Sequence, residues 1–180
     1  MRPLTDEETK IFFTKLAKFI DQDIAVLIDR KDEAHCFRVH NLRVYYLSAS
    51  QLKHVTSFAR EKLISCGTMF GKFTKTGKFQ LTVHCLDYLA QYAKYKVWVK
   101  PNSEMSFLYG HHITKAGLGR ITENTPQYAG VVVYNMGGTA LGFGVAGQST
   151  AACTTMEPTA IVVLHQGDIG EYLRSEHEMN

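Results

Sequence analysis

The chain has 180 residues, 45% hydrophobic and 21% charged, with a net charge of +3. That is enough for one well-packed domain or two small ones, and nothing in it is low-complexity or repetitive. Four cysteines stand singly, at Cys36, Cys66, Cys85 and Cys153, without CxxC spacing, which fits a reducing compartment and argues against structural zinc.

The opening MRPLTDEETK is charged and lacks the apolar stretch of a signal peptide. No apolar run approaches the roughly 20 residues that span a bilayer. A soluble intracellular protein without membrane association is expected.

Thr5 followed three residues later by Glu8 forms a capping-box pattern. Ile11, Phe12, Leu16, Phe19 and Ile20 then recur at helical spacing, predicting a helix over 5–21 with one apolar stripe. Residues 24–29 are a short β-rich run. Residues 34–40 alternate, with Phe37 and Val39 on one face and Cys36 and Arg38 on the other. A turn at 41–43 and a strand at 44–48 complete a meander of short antiparallel strands. Ser50 could cap a helix over about 51–60. Residues 63–70 and 79–84 flank the stretch FGKFTKTGKF, and 86–95 reads as a helix with Leu86, Leu89 and Ala93 inward.

Beyond Tyr95 the character changes. Residues 97–99 start a strand that Pro101-Asn102 breaks, and 11 of the 14 glycines lie between Gly110 and Gly170. Short β-runs at 131–134, 141–146 and 160–164 suggest a small barrel. The expected fold is α+β: an N-terminal antiparallel sheet with flanking helices over 1–93, then a mostly-β pseudo-barrel over 94–170 and a tail over 171–180.

Charge is regional. Residues 38–100 hold 11 basic and only two acidic residues, the electrostatic footprint of a nucleic-acid contact or of a solvated basic face. FGKFTKTGKF, residues 70–79, places Lys72, Lys75 and Lys78 around a Thr76-Gly77 turn. It fails as a phosphate loop, because five residues separate Gly71 from Gly77 and Phe79 stands where Ser or Thr would touch magnesium. Basic tips beside aromatic rings suit single-stranded RNA, although Phe70, Phe73 and Phe79 are expected in the core.

Gly142, Gly144 and Gly147 match G-x-G-x-x-G, but no amphipathic helix follows and the next acid, Glu157, precedes a proline. They read as strand glycines where backbones pack closely, not as a cofactor site. The adjacent pair His111-His112 would point apart and is not expected to chelate a metal. No nucleophile motif such as GxSxG is present, and no enzyme is expected.

The segment 95–146, with VWV, SFLYG, VVVY and LGFGVA, resembles a PUA domain, the pseudo-barrel of pseudouridine synthases and archaeosine transglycosylases. With MRPLTDEET, FGKFTKTGKF, LDYLAQYAKYKVWVKP, GLGRITENTPQY and HQGDIGEYLR, the whole chain resembles the eukaryotic nuclear-import-protein-seven family. The resemblance implies a non-enzymatic ribosome biogenesis factor acting in the nucleolus on pre-rRNA of the large (60S) subunit; a monomer without cofactor is the default expectation. The resemblance implies as partners pre-ribosomal particles, an RNA-recognition-motif protein, an FtsJ-type methyltransferase homologue and an exosome subunit.

Archaeal relatives carry a late basic cluster, whereas 148–156 (QSTAACTTM) has no Lys or Arg here, so that face could serve protein contacts instead. The candidate contacts to single-stranded, uridine-rich pre-rRNA are Lys72, Lys75, Lys78, Lys94, Lys96 and Lys100, with Lys115 and Arg120 from the helix region of the PUA segment. Tyr109 and His111, beside Gly110, are candidate stacking or hydrogen-bonding groups.

Overall fold

Thr5 caps the first helix, α1 (Asp6–Ile20), as expected: its hydroxyl accepts from the Glu8 amide, and the Glu8 carboxylate accepts from the Thr5 amide at 2.9 Å. The computed structural model describes residues 1–178. Both Glu8 oxygens also accept from the Arg2 guanidinium, at 2.6 and 2.7 Å, and chiefly these bonds hold the carboxyl down to about 2. Phe12, Leu16, Phe19 and Ile20 are buried. Ile11 is not part of that core; it is 40% exposed.

The run at 24–29 is not a strand. A 3₁₀ turn at Asp21–Asp23, entered through Asp21 at φ 47°, delivers the backbone already in helical geometry, and the chain forms α2 (Ile24–Ile28). Leu27 is buried, and its carbonyl accepts from the buried Tyr46 hydroxyl at 2.5 Å. Five apolar residues signal burial but carry too little periodicity to separate helix from strand.

β1 (His35–His40) and β2 (Arg43–Ser48) pair across a two-residue turn, Asn41-Leu42, in which both residues have positive φ, 49° and 64°. Ser48, not Ser50, caps the next helix, α3 (Ala49–Val55), because Gln51 completes its capping box; the helix therefore starts and ends earlier than 51–60. Of the two segments flanking the FGKFTKTGKF turn, the first becomes extended only from Thr68, as β3 (Thr68–Phe73), paired with β4 (Phe79–Leu81). Their turn uses Gly77 at φ 76°, closed by the Thr74 amide donating to the Lys78 carbonyl at 2.8 Å. The four strands form an antiparallel sheet in the order β1-β2-β3-β4. The Phe12 ring lies 4.7 Å from Phe37 and 5.1 Å from Phe79, at the centre of the aromatic core. Phe70, Phe73 and Phe79 are all buried, as expected. So are Val83 and Cys85, on a 3₁₀ turn rather than an extended strand.

The chain divides into two compact units, Met1–Cys85 and a second beginning at Leu86. In the second, α4 (Leu86–Tyr92) buries Leu86 and Leu89, ending before the expected Tyr95. The Tyr134 hydroxyl donates to the Ala90 carbonyl at 2.9 Å. β5 (Lys96–Val99) puts Val97 and Val99 inward at 0% exposure. Pro101 does not merely break that strand; it occupies the first turn of α5 (Pro101–Leu108), where its missing N–H costs nothing. The SFLYG segment is the end of this helix, closed by Gly110 at φ 89°.

There follow β6 (Ile113–Thr114), β7 (Leu118–Ile121), β8 (Gly130–Asn135), β9 (Ala140–Ala146), α6 (Thr150–Cys153), β10 (Ile161–Asp168) and α7 (Glu171–Arg174). Six strands order as β6-β10-β9-β8-β5-β7 in a nearly closed, barrel-like sheet, antiparallel except that β5 runs parallel to β8. Val131, Val133, Phe107, Val162 and Val163 fill it. A Cβ on Gly142 would lie 2.2 Å from the Gly167 carbonyl oxygen, and one on Gly144 2.3 Å from that of Leu164. Two of the three glycines of the G-x-G-x-x-G match, Gly142 and Gly144, are thus required by backbone proximity. Among the described residues no helix is long and apolar enough to cross a membrane.

Candidate nucleic-acid interface

Alternation along β5 turns Lys96 and Trp98 away from the barrel interior that Val97 and Val99 enter. The register sets Trp98 directly opposite Tyr134 of β8 on one side and Arg120 of β7 on the other. The Trp98 and Tyr134 rings stack at 5.9 Å with a 27° interplanar angle, and the Arg120 guanidinium lies 4.9 Å from the Trp98 ring centre. Lys96 Nζ is 5.8 Å from the Tyr134 ring centre, and Lys94 Nζ 5.6 Å from that of Tyr95. Three strands therefore carry one row, Tyr134–Trp98–Arg120, with Lys96 beside it. Tyr134 is 8% exposed and its hydroxyl is spent on the Ala90 carbonyl, so it backs the Trp98 ring from below; burial pushes its phenol up from the ordinary value. A guanidinium held flat by a ring can donate to phosphate and offer its plane to a base.

Trp98 and Tyr134 were not among the sequence candidates. The signal that could have found Trp98 was its parity with Lys96, opposite to Val97 and Val99.

The other candidates scatter. Lys115 and Arg120 are not on a helix: Lys115 lies in the β6–β7 turn, its amide bonded to the Ala160 carbonyl, and Arg120 is in β7. Lys100 is exposed and donates from Nζ to the Ala116 carbonyl at 3.0 Å, close to that turn. Tyr109 is 63% exposed just past α5. His111 is exposed, with Nδ1 3.1 Å from the Ser106 carbonyl, while His112 Nδ1 accepts from the His165 amide at 3.1 Å, so the two histidines serve different partners.

In the first unit, Lys72 is exposed on β3, in register with Arg43 and Gln80, and Lys75 is exposed at the hairpin tip. Lys78 lines a separate groove with Lys10, Lys15 and Lys18 of α1. The hairpin lysines thus do not form one stripe.

The ligand atoms of His165, Asp168 and Glu171 lie within 4.8 Å of one another, the spacing of a metal cluster. Asp168, fully buried, is already committed. Its Oδ2 accepts from Arg174 Nη2 at 2.9 Å and lies 2.6 Å from His165 Nε2, while its Oδ1 accepts from the Gly170 amide at 2.8 Å. Arg174 supplies the positive charge a cation would bring, and it also donates to the Leu108 carbonyl at the end of α5. The group reads as an internal clamp. Burial alone would raise the Asp168 carboxyl, but the hydrogen bonds and charges of His165 and Arg174 outweigh it and hold it below its ordinary range. Glu171 is pushed up, chiefly by burial and also by the Asp168 charge.

Residues 1–83 match the family model described as NIP7/UPF0113, pre-PUA domain, and residues 95–177 match the UPF0113 PUA domain. The chain is 64% identical over 176 residues to the Xenopus tropicalis 60S ribosome subunit biogenesis protein NIP7 homolog, covering 98% of each chain. It is 60% identical over 179 residues to the mouse homolog, covering 99% of each. A solved PUA domain structure from Aeropyrum pernix superposes with a TM-score of 0.62 at 15% identity, over 98% of this chain and 90% of that one, which is a likeness of fold. The sheet-and-helix unit and the barrel-like unit follow one another in the order of the two matched models, and this chain belongs to the NIP7/UPF0113 family.

Proposed function

We propose that this chain is a non-catalytic, RNA-binding assembly factor for the 60S ribosomal subunit that holds pre-rRNA on the outer face of β7, β5 and β8. The Tyr134–Trp98–Arg120 row flanked by Lys96 carries the reading. Relatives named for 60S subunit biogenesis, at about 60% identity over nearly the whole chain, supply the biological setting.

Single-stranded RNA engages such a face in two ways. Phosphates pair with Lys94, Lys96 and Arg120, which gives affinity without sequence choice. One base stacks on the Arg120 plane, which is sequence-tolerant because every base has a π-face. Lys100 and Lys115 extend the phosphate track at one end of β5. Lys72 and Lys75 add a separate basic surface on the first unit. The setting is the nucleolus, with the chain working as a monomer beside an RNA-recognition-motif protein, an FtsJ-type methyltransferase homologue and an exosome subunit during pre-rRNA processing.

Fluorescence anisotropy with a short uridine-rich RNA, from about 50 to 200 mM salt, tests this. Lys96→Ala/Arg120→Ala flattens the log–log salt slope by about 1.4, at about 0.7 per lost single-strand contact. Trp98→Ala, shown folded by circular dichroism, weakens binding about tenfold. Unchanged affinity and slope in both would remove RNA from this face.

One observation favours a second reading, a protein adaptor with little RNA affinity. The stretch 148–156 has no Lys or Arg, and Ser149–Ala151 lines a depression with Glu123–Pro126. On that reading the wild-type chain shows no salt-dependent RNA binding at all.

A further inference from the structure

The end of α5 and the short helix α7 adjoin in the second unit, and both turn apolar side chains to solvent. Met105 and Tyr109 lie one helical turn apart, on the side of α5 opposite the buried Phe107, and are 59% and 63% exposed. On α7, Leu173 is 88% exposed and Tyr172 44%. The two segments touch through backbone. A Cβ on Gly170, the cap of α7, would lie 2.3 Å from the Leu108 carbonyl oxygen, and the same carbonyl accepts from Arg174 Nη1.

A four-residue helix does not hold its shape alone. Asp168 fixes it: Oδ1 accepts from the Gly170 amide at 2.8 Å and Oδ2 from Arg174 Nη2 at 2.9 Å. A buried ion pair adds little net stability over an apolar core, so what this one secures is the position of α7. The turn so fixed presents a leucine to solvent. Exposed apolar clusters of this kind mark protein contacts, where Tyr and Met are enriched. The corner is also acidic. Residues 101–110 contribute Glu104, and residues 165–178 contribute Asp168, Glu171, Glu176 and Glu178 against a single cation, Arg174. Asp168 and Arg174 pair with each other, which leaves four glutamates in a chain whose net charge is +3. Among the described residues no Lys or Arg forms an ion pair with Glu104 or Glu176.

We infer that this corner docks a basic amphipathic segment of a partner protein, whose apolar side chains cover Met105, Tyr109, Tyr172 and Leu173 while its Lys or Arg residues face Glu104 and Glu176. Charge complementarity selects that occupant. The glutamates attract cations and repel both acidic peptides and the phosphates of RNA. The four apolar groups select a segment with an apolar face over a merely basic one. Tyr109 then serves a protein contact rather than a base. None of these residues belongs to the Tyr134–Trp98–Arg120 row, so the site stands or falls separately from RNA binding.

The test uses the full chain and fluorescein-labelled probes: a peptide of three Lys-Leu-Leu-Lys repeats, its Lys-Ser-Ser-Lys and Glu-Leu-Leu-Glu counterparts, and a 12-nucleotide oligouridine. The wild type is expected to prefer the first peptide to both counterparts. Met105→Ser/Leu173→Ser weakens it at least about tenfold and leaves oligouridine binding within about twofold. Glu104→Lys/Glu176→Lys weakens it about fivefold. Should the double serine variant not fold by circular dichroism, Leu173→Ala replaces it, with an expected loss of about threefold. No preference for the basic apolar peptide, or equal binding by the folded variants, would overturn the proposal. So would an oligouridine loss as large as the peptide loss in Met105→Ser/Leu173→Ser, which would seat RNA at the corner. A wild-type dimer in sedimentation that the same substitutions dissolve would seat a second copy there and overturn it equally.

Discussion

Arg120 and Trp98 are direct cross-strand partners on β7 and β5, and the guanidinium sits 4.9 Å from the centre of the ring. The pair separates charge from planarity. Arg120→Lys keeps the charge but loses the flat, ring-supported donor fork. Its expected signature is an RNA affinity about threefold to tenfold weaker with an unchanged salt slope, measured by anisotropy as a function of ionic strength. Wild-type affinity in this variant would reduce Arg120 to a point charge.

The hairpin that looks like one basic unit in sequence is divided in the structure, and its lysines have different effects. Lys72→Ala/Lys75→Ala should flatten the RNA salt slope by about 1.4. Lys78→Ala should leave that slope alone, because Lys78 lines the α1 groove and not the β3 surface. RNA titrations of the two variants check this, and a common effect of all three lysines would contradict it.

Asp168 ties together His165, Gly170 and Arg174 from a site with no exposure. Asp168→Asn should destabilise the second unit by about 2 kcal/mol, since Arg174 and the buried amide lose their charged acceptor. The folded pKa of Asp168 is depressed, so its contribution is complete above the ordinary aspartate value of about 3.9 and is lost as pH falls through it toward the lower folded value. Glu171 has the opposite sign. Its folded pKa is raised, so ionising it costs stability as pH climbs from about 4.3 through the raised value. Urea denaturation between about pH 3 and 7 should show a weaker acid loss in Asp168→Asn and a small gain at neutral pH in Glu171→Gln.

Phe12 is fully buried and touches Phe13, Phe37, Phe70 and Phe79 with ring centres 4.7 to 6.4 Å away. Phe12→Ala should cost the first unit about 3–5 kcal/mol, read as a lower urea midpoint. A loss under about 1 kcal/mol would mean the rings collapse into the space.

What could be read from the sequence followed the range of the interaction. The α1 cap is four residues long, Thr5 to Glu8, and was legible; so was the alternation of β1, and the glycines at 142 and 144 as sites of close approach. The segment at 24–29 was misread because its geometry is inherited from the turn before it. Ser48 and Ser50 carry the same hydroxyl, and only the glutamine three residues after Ser48 separates them as caps. The change of composition near Tyr95 marks the change from mixed to mostly-β structure, whereas the compact units divide earlier, between Cys85 and Leu86, which leaves α4 with the second. The central row of the candidate interface did not show, because residues 98, 120 and 134 meet only through strand register, which no local pattern encodes. The Asp168–Arg174 clamp on Leu108 was hidden for the same reason, its ends lying 66 positions apart.

The parallel pairing of β5 with β8 has a kinetic consequence. Lys96 meets Val132 only after α5, β6 and β7 have been made, and no hairpin can close that pair locally. The first unit, in contrast, grows from one capped helix and neighbouring hairpins. The β8–β9 hairpin can close locally, but its docking on β5 must wait for the intervening chain, so during synthesis and refolding the unit that begins at Leu86 is the slower to complete its core.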